Sequence, residues 1–195
     1  MDSPKGSLCS LEARVLREWS HLGTQLTASG TRCIAHVPQV GRAAWLHRFY
    51  AECDPTELGA CERRMQRSVP STWRELLVSV NGVDLFVASM CLCGVLPGGL
   101  MRRSIDDPQP LSIESANGPE RPRGAAVEPQ DFVVGWNSLD DGAAYVLRGD
   151  ESISKTDRDG GRTLTSWASL GAMLETEYQA IATLYDNDGT FGRPA

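Results

Sequence analysis

VPSTWRELLVSVNGVDLFVASMCLCGV, residues Val69–Val95, decides how the rest of the chain is read. Pro70 suits the first turn of a helix, where its missing N–H has no intrahelical partner to lose. Trp73, Leu76, Leu77 and Val80 then recur at three- and four-residue steps, which places them on one apolar stripe. Asn81-Gly82 is the expected stop, because both residues tolerate the left-handed conformation common at helix C-termini. Leu85-Phe86-Val87 and Met90–Val95 follow as two short apolar runs of strand length.

Working outward toward the N-terminus, Asp54-Pro55-Thr56-Glu57 is a helix start. Asp54 can cap, Pro55 suits the first position, and Glu57 stands where a capping-box carboxylate reaches back. Leu58, Cys61 and Met65 form the inward face of that helix. Leu8, Leu11, Val15, Trp19, Leu22 and Leu26 predict an amphipathic helix over 8–26. Thr27–Gly41 reads as a loop or short strand, and Arg42–Glu52 as a further helical turn. Residues 1–53 are therefore expected to form a helical extension packed on a core domain at 54–185.

Toward the C-terminus, residues 102–130 hold five prolines among polar residues, a long irregular connection of the kind that often carries function. Phe132, Val134 and Trp136 alternate as in a strand, Asp140-Asp141-Gly142 turns the chain, and Ala143–Leu147 returns. Ile153–Thr156 is a further strand, and Asp157–Gly161 a further turn. Thr165 or Ser166 is expected to cap a last helix with Trp167, Leu170, Met173, Leu174, Tyr178, Ile181 and Leu184 inward. Residues 186–195 read as a flexible tail. Helices, then an antiparallel or mixed meander of strands, then a C-terminal helix packed on the sheet make the class α+β.

Composition narrows the function. Of 195 residues 41% are hydrophobic and 23% charged, a globular balance. The net charge of −6 and pI near 5.1 argue against nucleic acid as partner, because phosphate contacts need basic patches. Residues 1–103 carry +3 and residues 104–195 carry −9, so the C-terminal half favours a basic partner. Met1–Ser10 lacks a basic start with an apolar core, so no secretory signal is expected and the chain reads as cytoplasmic. Leu85–Met101 is free of charge, but it is too short for a membrane helix and is interrupted by Gly94, Pro97, Gly98 and Gly99. Six irregularly spaced cysteines then read as free thiols.

The motifs in order resemble the SUKH (Smi/Knr) superfamily, which includes bacterial immunity proteins. The resemblance begins at Trp73-x-x-Leu76-Leu77 running into Asn81-Gly82-x-x-Leu85-Phe86, and continues through Leu92-Cys93-Gly94-Val95, Asn117 and Arg121-Pro122. It resumes at Phe132–Trp136, Asp140-Asp141-Gly142 and Tyr145-Val146-Leu147, and closes on Trp167-x-x-Leu170 with Leu174-Glu175. It covers roughly residues 54–185. It implies a SUKH-like binding fold without catalytic residues. It also implies a non-enzymatic immunity protein that neutralises a toxin, often a nuclease, by direct contact; the alternative is a regulatory or scaffold module of the same fold.

Candidate partner-binding residues, chosen by sign and loop position, are Asp84, Asp106, Asp107, Asp140, Asp141 and Asp150. No catalytic residue, cofactor or metal is expected. Counting twelve from Asp157 reaches Ala168 rather than the Glu of a calcium loop, and Cys91-x-Cys93 lacks the second thiol pair of a zinc site. No Gly-x-Ser-x-Gly, Walker or His-Glu-x-x-His motif is present.

Overall fold

Among the described residues, nine antiparallel strands lie side by side in the order in which the chain makes them. A computed structural model describes residues 4–101, 107–120 and 124–192. The strands are β1 (Thr24–Leu26), β2 (Arg32–His36), β3 (Trp45–Phe49), β4 (Val83–Leu85), β5 (Met90–Leu92), β6 (Phe132–Asn137), β7 (Ala143–Leu147), β8 (Ile153–Thr156) and β9 (Thr163–Trp167). The α-helices among the described residues are α1 (Pro4–Trp19), α2 (Pro55–Met65), α3 (Ser71–Leu77), α4 (Ile113–Asn117) and α5 (Leu170–Ala182). The class is α+β.

One sheet face packs under α1 and α5. Leu8, Leu11, Val15 and Trp19 of α1 are buried there, as their spacing predicts, with Met173, Leu174, Tyr178 and Ile181 of α5. The α1 helix stops at Trp19, a single 3-10 turn follows over Ser20–Leu22, and Gly23 at φ 100° sends the chain into β1. Leu26 ends 66% exposed at the sheet edge rather than on a helix.

The N-terminal region is not all helical. Arg42–Glu52 contains strand β3, and β1–β3 continue the same sheet, with Arg48 opposite Asp84 and Phe49 opposite Val83. Trp45, Phe49 and Tyr50 imitate helical spacing, whereas Leu46 and His47 are both buried because β3 is covered on both faces. That double burial removes the polar alternation by which a strand is recognised.

Around Val69–Val95 the helix is shorter than its apolar stripe. Trp73, Leu76 and Leu77 are buried, but α3 ends at Leu77, with Val78 still right-handed. Asn81 acts through its side chain instead: its Nδ2 donates to Val95 O (2.9 Å) and its Oδ1 accepts from Val95 N (2.7 Å). Gly94 passes so close that a Cβ would lie 2.1 Å from Asn81 O. Phe86 and Val87 belong to the β4–β5 turn, not to a strand. Phe86, Val87 and Ala88 are all left-handed, at φ 53°, 55° and 63°. Such conformations cost about 1 kcal/mol or more each for non-glycine residues. They are held by insertion of the Phe86 ring between Trp19, His47, Tyr178 and Tyr185.

Other boundaries also move. Asp54 caps α2 by accepting from Thr56 N at 2.6 Å, while Glu57 accepts from Gly98 N (3.0 Å) rather than reaching back. Ser169, not Thr165 or Ser166, caps α5, since Thr163–Trp167 is strand β9. The stretch read as a tail is folded as far as Gly192: Asp186 Oδ1 accepts from Asp188 N and Thr190 N, Tyr185 pairs with Phe191, and Gly189 is buried against Val37.

Asn117 repeats the Asn81 device on β6. Its Oδ1 accepts from Val133 N (2.8 Å), and its Nδ2 donates to Val133 O (2.8 Å) and Ile113 O (3.1 Å). Asn117→Ala leaves a buried strand N–H and C=O unpaired, and a loss of roughly 2–4 kcal/mol is expected in urea unfolding.

His47 is fully buried on the helix-covered face, and neither ring nitrogen has a hydrogen-bond partner among the described residues. Desolvation lowers its pKa to about 3. The unfolded chain takes up this proton below about 6.5, and the folded protein does so only near 3. The stability is therefore complete above pH 6.5 and falls as the pH drops toward 3. A loss of about 2 kcal/mol at pH 5 relative to pH 8 is expected from this group, and His47→Leu should remove it.

Candidate functional site

The face of the sheet opposite α5 carries a cross-strand row that runs edge to edge. Gln25, Cys33, Arg48, Asp84, Cys91, Trp136, Ala144, Thr156 and Thr163 are successive register partners on neighbouring strands. Directly opposed residues share a face, so this row defines one surface.

Over β6–β8 the row floors a cleft of about 470 Å³. Val133, Ala144 and Thr156 form the floor, Ala116 and Asn117 of α4 one wall, and the loops around Gly124–Val127 and Arg158–Gly160 the other. The two loops interlock. Ala126 N donates to Gly160 O at 2.7 Å, and a Cβ on Gly124 would lie 2.1 Å from Asp159 O. Thr156 is fully buried at the floor, and its Oγ1 has no hydrogen-bond partner among the described residues. Arg158 and Asp159 are exposed at the cleft.

The neighbouring residue Lys155 points to the other face, where its ammonium lies 3.1 and 3.2 Å from the Glu177 oxygens. Tyr145 and Asn137 also donate to Glu177, and Asp140 completes the ion-pair network. Burial and the Glu177 charge push the Tyr145 phenol far above its ordinary range. Every member of this network is committed to another member, as a structural polar cluster requires.

The sequence-predicted acidic residues do not form one patch. Asp84 is buried in the row, accepts from Tyr50 OH at 2.5 Å and lies 3.7 Å from Arg48 Nη1; burial raises its pKa. It is therefore no surface contact: its position on a short, doubly covered strand overrides the usual exposure of Asp. Asp106 lies outside the described residues, and Asp107 is half-buried. Asp140 and Asp141 share the β6–β7 turn, where left-handed Asp141 (φ 52°) and Gly142 (φ 76°) close the hairpin. Asp150 sits at the opposite end of β7, its carboxyl held below the usual range by hydrogen bonds from Ser152 Oγ and N.

The turn at Asp140 and the turn at Asp150 differ in net field. Lys155, Arg158 and Arg162 offset Asp140, Asp141, Asp157 and Asp159 at the first. At the second, Asp150 and Glu128 line a shallow depression of about 550 Å³ beside exposed Glu151. The nearby Arg148 is already engaged by Asp131, Ala126 O and Ser154. Among the described residues, no three His, Cys, Asp or Glu side chains converge as a metal ion would require, and no helix is long and apolar enough to cross a membrane.

Sequence reading missed Thr156 and the cleft. A buried threonine beside a buried lysine carries no motif, and only the β7–β8 register places it opposite Ala144. No protein-family model matches the chain, and no curated protein matches it.

The orphaned hydroxyl has a measurable consequence. Thr156→Val keeps the shape and removes the unpaired group, so a gain of about 1 kcal/mol in thermal or urea unfolding is expected.

Proposed function

We propose that this chain is a SUKH-like binding protein of the immunity type, which neutralises a cognate toxin enzyme in the cytoplasm by covering it and performs no chemistry itself. The observation that carries the reading is the order of the family-like motifs along the meander; Arg121-Pro122 lies outside the described residues, and the others fall on its helices, strands and turns. Trp73, Leu76 and Leu77 are the buried face of α3, and Asn81 and Asn117 are the two backbone clamps. Gly135-Trp136 lies in β6, Asp140–Gly142 is the hairpin turn, Tyr145–Leu147 lies in β7, and Leu170 and Leu174 are buried in α5. These residues specify a scaffold, which leaves the exposed loops to recognise a partner.

The partner surface in this reading is the acidic shelf of Glu128, Asp150 and Glu151, where no free base offsets the carboxylates among the described residues. A basic toxin surface would be steered there electrostatically. A toxin-like product encoded in the same gene neighbourhood is expected; co-expression with it should restore growth, and the two proteins should co-purify. Reversing the shelf with Glu128→Lys and Asp150→Lys should slow association about tenfold at low ionic strength. A toxin that stays lethal and does not co-purify refutes the proposal.

A further inference from the structure

At the N-terminal end of the same sheet face, β1–β3 border a second cleft, of about 510 Å³, with the opposite electrostatic character. Arg42, Arg48 and His36 line it, and no Asp or Glu does among the described residues. In a chain of net charge −6 this is a local inversion.

The cleft depends on a strained residue. His36 lies three residues from Cys33, and Trp45 three from Arg48, so strict strand alternation would put each pair on opposite faces. Ala35 is left-handed at φ 63° and interrupts the alternation between Ile34 and His36. Cys33, His36, Trp45 and Arg48 all line one cavity. Trp45 is half-buried there, its ring 5.0 Å from that of His36.

Arg48 pairs with Asp84 but is not fully satisfied by the fold. Its Nη1 lies 3.7 Å from Asp84 Oδ2, beyond hydrogen-bond length, and Asp84 is already held by Tyr50. The Arg48 Nε is buried without an acceptor among the described residues. A buried guanidinium N–H without an acceptor is rare, because each such donor left unpaired is costly. Arg42 projects from the β2–β3 turn at the same cavity and is exposed.

We propose that this cleft binds a small organic anion, a phosphate or carboxylate on a molecule that also carries a planar ring, with the charged oxygens on Arg42 and Arg48 and the ring against Trp45. The volume lies in the range of small-molecule sites, and guanidinium groups pair with such oxygens in a planar, charge-assisted geometry. The inference does not rest on the immunity reading, since none of its residues belongs to the acidic shelf.

Calorimetry and amide chemical-shift titration of the full chain with AMP, benzoate and adenosine test it. AMP or benzoate should bind saturably, with shifts centred on Arg42, Trp45 and Arg48; the better of the two identifies the anion as phosphate or carboxylate. Adenosine, which has the ring without the charge, should bind at least tenfold more weakly than AMP if phosphate is the group recognised. Arg42→Gln, a surface change that leaves the fold intact, should weaken the bound anion about tenfold, the loss of one charge-assisted contact. Arg48→Gln should do the same. The proposal is overturned if neither anion binds saturably, if adenosine matches the tighter anion, or if Arg42→Gln changes nothing.

Discussion

Two buried asparagine amides hold this sheet in register with the helical segments that interrupt it. A meander of sequential strands closes its own hydrogen bonds wherever the turns are tight. Between β3 and β4, and again between β5 and β6, the chain leaves the sheet for long stretches that carry α2, α3 and α4. On return it must find the same register, and the backbone beside the re-entry points has no strand neighbour. Asn81 supplies a donor and an acceptor to Val95, and Asn117 does so to Val133, each imitating one residue of a paired strand. A side-chain amide is the one neutral group that presents both functions at the spacing of a peptide. Glutamine would arrive one methylene too far, and aspartate would bring a charge to a buried site.

That constraint divides the sheet into two unlike faces. The face under α1 and α5 is closed, and its polar members, Lys155, Glu177, Tyr145 and Asn137, satisfy one another. Breaking such a group is costly because the surviving charge stays buried. His47 is an exception there, an imidazole sealed among Trp19, Phe86 and Tyr178 with nothing to bond to among the described residues. On the opposite face, α4 and the loops cover only part of the surface, and clefts remain at both ends of one cross-strand row.

The legible part of the fold was the part governed by local rules. The stripes of α1, α2 and α5, the Asp54-Pro55 start and the Asp140–Gly142 hairpin each follow from a few neighbouring residues. The parts that escaped depend on tertiary context. Strand β3 is buried on both faces, so His47 and Leu46 lose the alternation that would have marked it. Phe86-Val87 has every propensity of a strand yet turns left-handed, because the Phe86 ring gains more from the aromatic cluster than the backbone loses. Asp84 and Asp150 carry the same charge in the sequence, and only burial separates a core acid hydrogen-bonded to Tyr50 from an exposed one. The clefts were invisible for the same reason: their walls come from segments far apart in the chain and are brought together by register.

The distribution of unsatisfied groups along the open face gives the site its physical meaning. Buried donors and acceptors are almost always paired, so an orphan marks either a cost the fold tolerates or a partner it awaits. Thr156 and Arg48 each carry a buried atom without a partner among the described residues, both stand on the single row from Gln25 to Thr163, and both residues line a cavity. His47, by contrast, lies on the closed face, sealed among Trp19, Phe86 and Tyr178. The orphans of the open face thus belong to residues beside its clefts, and the closed face supplies the rigidity that keeps them in place.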